Sequence, residues 1–186
     1  MTLNLNNMNE VAEAMVAPGK GILAADESTG TIGKRFDQIN TESTDKKRNA
    51  YRDLLFSSKG IQEYISGVIM YDETFHQSSF EDGALYPQYL TSKGIVPGIK
   101  VDAGAYNLAG TDGEKITSGL DGLDERLTEY RKLGARFAKW RAVINITELN
   151  PSDYCISANA HALARYAALC QSNDIVPIVE PEILMD

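Results

Sequence analysis

Short, nearly continuous apolar runs alternate along the chain with longer segments in which apolar residues recur at helical spacing. The apolar runs predict five buried strands, at residues 21–26, 65–71, 95–102, 137–144 and 175–184. The longer segments predict helices at residues 6–17, 44–57, 80–90, 120–133 and 151–172. Strands that are apolar throughout are covered on both faces, as in a parallel sheet with helices over it. The pattern therefore predicts an α/β protein with a parallel sheet.

The predicted helix at residues 44–57 shows how the pattern assigns faces. Thr44 has the side chain of a good N-cap. Tyr51, Leu54 and Leu55 are expected to form its apolar stripe. The charged run at residues 45–48 is expected to lie on the solvated face.

The strand at residues 137–144 combines an apolar pattern with two cations. Side chains alternate between the faces of a strand. One face therefore carries Phe137, Lys139, Arg141 and Val143, and the other carries Ala138, Trp140, Ala142 and Ile144. The second face is wholly apolar and is expected to pack against helices. Because burying an unpaired charge costs several kcal/mol, anionic partners are expected close to Lys139 and Arg141.

Charged residues stand near the ends of four predicted strands. They are Asp26, the pair Lys100 and Asp102, the pair Lys139 and Arg141, and the pair Glu180 and Glu182. Charges at the carboxyl ends of successive strands are typical of the active face of a (β/α)8 TIM barrel. A doubly wound sheet would instead show a glycine-rich turn after its first strand, and residues 30–33 are too weak a match.

The length of the chain does not accommodate a whole barrel. A (β/α)8 barrel typically needs about 250 residues and eight strands, whereas this chain has 186 residues. We expect residues 1–186 to form a single domain, the N-terminal part of a barrel, with a truncation after the fifth strand.

Composition and charge narrow the function classes. A net charge of −8 argues against nucleic acid as a partner. No apolar run is long enough to span a bilayer, and the polar N-terminus does not resemble a signal peptide. Cys155 and Cys170 lie too far apart on one predicted helix for a disulfide, and no Cys/His cluster has metal-ligand spacing. These features predict a cytoplasmic protein with no nucleic-acid or membrane partner and no metal.

Four segments resemble the motifs of class I fructose-bisphosphate aldolases. They are residues 17–30, 97–102, 138–141 and 179–184, and their order and spacing agree with the family across essentially the whole chain. One departure is Ala103, where many family members carry lysine. The resemblance implies reversible retro-aldol cleavage of fructose 1,6-bisphosphate to dihydroxyacetone phosphate and glyceraldehyde 3-phosphate, through a lysine Schiff base. It leaves open the preference between fructose 1,6-bisphosphate and fructose 1-phosphate.

The resemblance also implies catalytic roles. Glu180 is the candidate acid/base for dehydration, and Asp26 is the candidate for the C4 hydroxyl and carbinolamine steps. Lys139 is expected to hold charges and pKa values in place beside them. Glu182 is expected to orient Lys139 or the Schiff-base lysine. That lysine belongs to the family's sixth strand and has no counterpart in this sequence, so this segment alone is expected to be inactive.

Cations and hydroxyls are expected to bind the sugar phosphate. Lys100 and Arg141 suit the phosphate groups, and Ser28, Thr31 and Arg35 are expected to form part of a sugar-phosphate site after the first strand. The resemblance implies no cofactor, a sugar-phosphate substrate and a homotetramer when the protein is complete.

Two functions of other classes remain open from the residues alone. Asp26, Asp102, Glu180 and Glu182 could ligate Mg²⁺, as in enolase-type barrels, with Lys139 as the base. Alternatively, the chain could be a non-catalytic truncated module that binds a phosphate or a partner. Full activity in EDTA would exclude the first alternative.

Overall fold

The main sheet has five parallel strands. A computed structural model describes residues 7–185. The strands are β1 (Gly21–Ala25), β2 (Ile65–Met70), β3 (Val96–Lys100), β6 (Phe137–Ile144) and β7 (Val176–Ile183). They lie in the order β1-β2-β3-β6-β7, and every neighbouring pair is parallel. A doubly wound sheet reverses its strand order at a switch point, so this unbroken sequential order is that of a (β/α) barrel, here about its first five strands.

Eight helices lie within the described residues, together with a small hairpin. The helices are α1 (Met8–Met15), α2 (Thr29–Asp37), α3 (Asp45–Phe56), α4 (Ile61–Tyr64), α5 (Asp72–Phe75), α6 (Tyr86–Ser92), α7 (Leu123–Leu133) and α8 (Asp153–Ser172). The hairpin pairs β4 (Ala105–Asn107) antiparallel to β5 (Lys115–Thr117). The long helices begin where side chains accept from the first turn: Thr44 caps α3 and Ser152 caps α8. Gly134 ends α7 in the left-handed conformation, with φ of 115°.

The apolar face of β6 packs against the helical layer. Trp140 is fully buried, and its ring lies 5.5 Å from the ring of Tyr166 on α8. Ala138 and Ala142 belong to the same core as Leu163. The prediction that this face lies under helices is confirmed, and it follows that Lys139 and Arg141 point to the opposite, inner side of the sheet.

A smaller core closes the amino-terminal end of the inner side. Phe137 packs there with Ile69 and Val96, under Val11 and Met15 of α1. Gly98 on the neighbouring strand makes room for the aromatic ring, since a Cβ at Gly98 would lie 2.2 Å from Phe137. The packed end leaves only the carboxyl ends of the strands open for chemistry.

The five predicted strands and the helices at residues 120–133 and 151–172 are confirmed within a few residues. Other predictions need correction. The helix expected at residues 80–90 is instead α6, which starts at Tyr86, after a turn closed by a bridge between Ser78 and Leu85. The hairpin and the helices α2, α4 and α5 were not predicted. The first predicted helix began at residue 6, which lies outside the described residues.

The predicted stripe of α3 is partly wrong. Leu54 is 69% exposed, whereas Arg52 is 2% exposed and Phe56 is fully buried. The helix turns its Arg52 side towards the end of β1 because carboxylate and carbonyl oxygens satisfy the guanidinium there. Within the run expected to be solvated, residues 45–47 are exposed, but Arg48 is half-buried in an ion pair with Glu73.

Candidate active site

The carboxyl ends of β1, β3 and β6 surround a polar cavity of about 470 Å³. The side chains and turns that line it are Asp26, Glu27, Ser28, Thr31, Tyr71, Lys100, residues 102–105, Lys139, Arg141 and Val143. Strands bring these residues together because parallel strands end at the same edge of the sheet. Six of the nine predicted site residues line the cavity: Asp26, Ser28, Thr31, Lys100, Lys139 and Arg141.

The Lys139 ammonium lies between two carboxylates. Its Nζ donates to Asp26 Oδ2 at 2.9 Å and lies 3.2 Å from Glu180 Oε2. Lys139 is 7% exposed and Asp26 is 9% exposed. Burial alone would lower the pKa of Lys139, but the charge and hydrogen bond of Asp26, supported by Glu180, raise that pKa above its ordinary value. Lys139 is therefore a fixed ammonium at neutral pH.

Lys100 has a local partner. Its Nζ donates to Asp102 Oδ1 at 2.7 Å and to the Asp102 backbone carbonyl at 3.0 Å. Gly104 N also donates to Asp102 Oδ1 at 3.2 Å, which ties down the turn beside the cavity. An ammonium has three N–H groups, so these two bonds leave one donor for an anion in the cavity.

Arg141 on β6 and Glu182 on β7 form a second ion pair, two residues further along each strand than Lys139 and Glu180. Arg141 Nε donates to Glu182 Oε2, and both side chains are about 40% exposed (41% and 38%). Glu182 was expected to orient Lys139 or the Schiff-base lysine; in this structure it pairs with Arg141, and Lys139 pairs with Asp26 and Glu180 instead. The strand register explains the difference, since Lys139 lies opposite Ile178 and Glu182 lies four residues further along β7, about 13 Å at the usual rise.

The turn after β1 contributes hydroxyl groups. Ser28 caps α2 by accepting from Thr31 N at 3.3 Å, and its Oγ lies 3.1 Å from Thr31 Oγ1. Both hydroxyls therefore lie at the helix N-terminus, which favours anions. Arg35 does not line the cavity: its guanidinium pairs with Glu27 and lies 3.2 Å from Tyr51 Oη.

Sequence reasoning missed three residues at this site. Glu27 lines the cavity and accepts from both Arg35 and Arg52. Tyr71 follows the last residue of β2 and lines the cavity from the second strand. Arg52 lies four residues before the buried Phe56, so the signal was available: the helical stripe that passes through Phe56 also passes through Arg52.

The pKa of Glu27 reflects its two arginines. Burial would raise the pKa of this carboxyl, but the hydrogen bond from Arg52 and the charges of Arg52 and Arg35 outweigh burial and lower the pKa. Glu27 is therefore a stable carboxylate at neutral pH.

Residues 7–185 hold no group of three His, Cys, Asp or Glu side chains placed to bind a metal ion. Within the same residues, no helix is both long and apolar enough to cross a membrane. Cys155 and Cys170 are buried, free cysteines.

A family model described as "Glycolytic: Fructose-bisphosphate aldolase class-I" matches residues 7–186. A Xylella fastidiosa protein named "Probable fructose-bisphosphate aldolase class 1" is 58% identical over 184 residues, which cover 99% of this chain and 55% of that protein. "Fructose-bisphosphate aldolase 1" of Toxoplasma gondii is 58% identical over 179 residues, covering 95% of this chain and 49% of that protein. "Fructose-bisphosphate aldolase 4, cytosolic" of Arabidopsis thaliana is 56% identical over 169 residues, covering 91% and 43%.

The fold is also similar to a solved structure, that of fructose-bisphosphate aldolase from Plasmodium falciparum in complex with TRAP and a small-molecule inhibitor. The TM-score is 0.92 and the sequence identity 51%, over 100% of this chain and 55% of that one. The chain thus spans about half the length of the relatives it matches. The parallel half-barrel and the family match agree, and the chain belongs to the class I fructose-bisphosphate aldolase family.

Proposed function

We propose that this chain is the N-terminal part of a class I fructose-bisphosphate aldolase. The complete protein would reversibly cleave fructose 1,6-bisphosphate to dihydroxyacetone phosphate and glyceraldehyde 3-phosphate. The observation that carries the proposal is the Lys139 ammonium held between the Asp26 and Glu180 carboxylates in a cavity that also exposes Lys100 and Arg141. The family match and the half-length coverage of the relatives support it.

The reaction requires an electron sink and proton carriers. A lysine amine attacks the C2 ketone, and loss of water gives an iminium that accepts electrons. Cleavage then moves the C3–C4 bond pair towards the iminium while the C4 hydroxyl gives up its proton and becomes an aldehyde carbonyl. In this proposal the attacking lysine lies beyond residue 186, as the family resemblance implies.

The residues of this chain would supply the proton steps. Glu180 is 36% exposed at its side chain and would protonate the departing hydroxyl when the iminium forms. Asp26 would take the C4 hydroxyl proton. Lys139 holds both carboxylates at hydrogen-bond or ion-pair distance, and it would stabilise negative charge that develops on the substrate oxygens.

Phosphate binding would use the outer part of the cavity. Lys100 has a free N–H after its bonds to Asp102, and Ser28 and Thr31 offer hydroxyls at the start of α2. Arg141 would bind a phosphate either by giving up its ion pair with Glu182 or by contacting Glu182 and the phosphate at the same time. Arg35 would have to leave Glu27 to reach the substrate.

Location and assembly are further parts of the proposal. A cytoplasmic location is supported by two related proteins from Arabidopsis thaliana whose names include "cytosolic". Homotetrameric assembly of the complete protein rests on the family resemblance.

Borohydride trapping tests the proposal directly. Reduction in the presence of dihydroxyacetone phosphate converts an iminium into a stable amine, which peptide mass mapping locates. The complete protein should carry one adduct on a lysine beyond residue 186, and the 186-residue chain alone should carry no specific adduct and show no cleavage. Lys100 and Lys139 are expected to stay unmodified, because the Lys139 amine is held as an ammonium between Asp26 and Glu180 and the Lys100 amine is bound to Asp102 by two hydrogen bonds.

Two results would contradict this division of labour. A stoichiometric adduct on Lys100 or Lys139 together with turnover would place the attacking amine in this chain. A complete protein that forms no adduct and does not cleave the sugar bisphosphate would favour the non-catalytic module.

A further inference from the structure

Arg52 is a buried arginine on α3 that reaches across to the end of β1. Its residue exposure is 2%. Nη1 donates to Glu27 Oε2, Nη2 donates to the Glu27 backbone carbonyl at 2.8 Å, and Nε donates to Thr74 Oγ1 at 3.4 Å. One planar guanidinium therefore joins α3, the β1–α2 turn and α5.

Glu27 connects the contacts of Arg52 to the cavity. Glu27 lies between Asp26 and Ser28, and all three residues line the cavity. If Arg52 bound only the carboxylate, the Glu27 side chain could change rotamer without moving the backbone. The second hydrogen bond, to the Glu27 carbonyl, holds the backbone itself. Holding the side chain and the carbonyl together fixes the peptide that carries Asp26 towards Lys139 and Ser28 towards the cavity.

The helix that carries Ser28 and Thr31 has few other attachments. Only Ile32 and Phe36 are buried on α2. Arg35 on that helix binds the second oxygen of Glu27, and its Nη1 also lies 3.2 Å from Tyr51 Oη on α3. Glu27 is thus the meeting point of two arginines, and Arg52 is the buried one.

A second arginine on α3 forms a comparable pair away from the cavity. Arg48 Nε donates to Glu73 Oε2 at 2.7 Å, and Nη2 donates to Glu73 Oε1. Its side chain is 13% exposed, and neither Arg48 nor Glu73 lines the cavity. If arginine–carboxylate pairs on α3 served only to hold the helix in place, the two arginines would be equivalent.

We propose that Arg52 is a positioning residue of the aldolase reaction: it fixes the β1–α2 turn through the side chain and carbonyl of Glu27, and thereby aligns Asp26 and Ser28 without touching the substrate. The inference rests on the proposed function. Lysine at this position keeps the charge but loses the planar fork that binds two oxygens in fixed directions.

The test compares Arg52→Lys with Arg48→Lys in the complete protein. Turnover is normalised to the number of sites that borohydride traps with dihydroxyacetone phosphate, so that a loss of folded protein does not count as a loss of rate. We expect R52K to lower kcat per site by about 100-fold, the cost of a misplacement of about 1 Å. R48K should keep the kcat per site of the unsubstituted protein, and KM should change less than kcat in R52K.

A chemical rescue extends the comparison. Arg52→Ala removes the guanidinium and leaves space for a guanidinium ion, which should restore part of the lost kcat, whereas sodium chloride at the same ionic strength should not. The R48A variant should show no such response. If R52A does not fold, the R52K and R48K comparison decides alone.

The outcomes separate the two proposals. Cleavage by the unsubstituted protein together with equal kcat per site in R52K and R48K would overturn the positioning role and leave the proposed function standing. Absence of cleavage by the unsubstituted protein would overturn the proposed function and the inference with it. A tenfold or greater loss in R52K alone, relieved by guanidinium ion in R52A, is the result expected of a positioning residue.

Discussion

Lys139 and Lys100 are neighbours in the sheet but have different surroundings. They occupy paired positions on β6 and β3 and both line the cavity. Lys139 is 7% exposed and lies between two carboxylates from other strands, of which Asp26 is 113 positions away in the chain. The Lys100 side chain is 18% exposed and pairs with Asp102, two positions away.

The difference separates a charge that depends on the whole fold from one that depends on a single turn. A buried ammonium needs compensation from several directions, and only the assembled sheet brings Asp26 and Glu180 to Lys139. Lys100 can keep its partner in any arrangement that preserves the end of β3. The contrast supports the proposed roles, in which Lys139 and its two carboxylates form the proton-transfer centre and Lys100 binds an anion.

The largest effect is expected from Lys139→Met in the complete protein. The substitution keeps most of the side-chain volume and removes the charge between Asp26 and Glu180. We expect kcat to fall on the order of 1,000-fold, within the range typical of lost acid–base catalysis, while circular dichroism shows an intact fold. A coupled cleavage assay measures kcat. Turnover within a few fold of the unsubstituted protein would contradict a catalytic role for Lys139.

A smaller, differently distributed effect is expected from Lys100→Met. Loss of one charge-assisted hydrogen bond to phosphate costs about 1.5–3 kcal/mol, which corresponds to a rise in KM of roughly 10- to 100-fold. The kcat should change less, because Lys100 does not contact Asp26 or Glu180 in the described ion pairs. If Lys100→Met lowered kcat as much as Lys139→Met without raising KM, the distinction between the two lysines would be wrong.

Much of this arrangement follows from the sequence. The alternation of apolar runs and amphipathic helices predicted the parallel strands, and the charges at their ends predicted which edge of the sheet carries the polar cavity. The Lys100–Asp102 pair can be inferred from spacing alone, because residues two apart share a strand face.

Other contacts depend on geometry that the linear pattern does not encode. The register of β6 against β7 decides that Lys139 reaches Glu180 and that Arg141 reaches Glu182. The helical spacing from Phe56 places Arg52 on the buried face of α3, but it does not reveal the partner of Arg52, because the partner oxygens come from a turn 25 positions earlier. Leu54 was wrongly placed in the core, because the buried face of α3 carries Arg52 and Phe56 and leaves Leu54 exposed.

The pH dependence of stability gives a third, smaller test. The folded-state pKa of Lys139 lies above its ordinary value of 10.5, because Asp26 and Glu180 outweigh burial. A group of this kind stabilises the fold fully below its unfolded pKa, and the contribution is lost as pH rises through the folded pKa. The difference in unfolding free energy between the unsubstituted protein and Lys139→Met should therefore be constant from about pH 7 to about pH 9 and shrink above 10.5.

Chemical denaturation at a series of pH values measures this difference. Because both proteins share every tyrosine and cysteine, subtraction isolates the contribution of Lys139. A difference that grows with pH above 10.5 would mean that burial prevails over the two carboxylates.

The smallest expected effect is that of chelation, which should leave the turnover of the complete protein unchanged. The four carboxylates that could ligate Mg²⁺ are already engaged by cations: Asp26 and Glu180 by Lys139, Asp102 by Lys100, and Glu182 by Arg141. A magnesium ion requires close, near-octahedral oxygen ligands and would have to displace these ammonium and guanidinium groups. In the proposed reaction an iminium supplies the electron sink that a metal supplies in an enolase-type barrel, so prolonged dialysis against EDTA should not lower kcat, and added Mg²⁺ should not raise it. Loss of activity with EDTA and its recovery with a divalent ion would instead support the metal-dependent alternative and would make the cation pairing of both lysines a feature of the metal-free state.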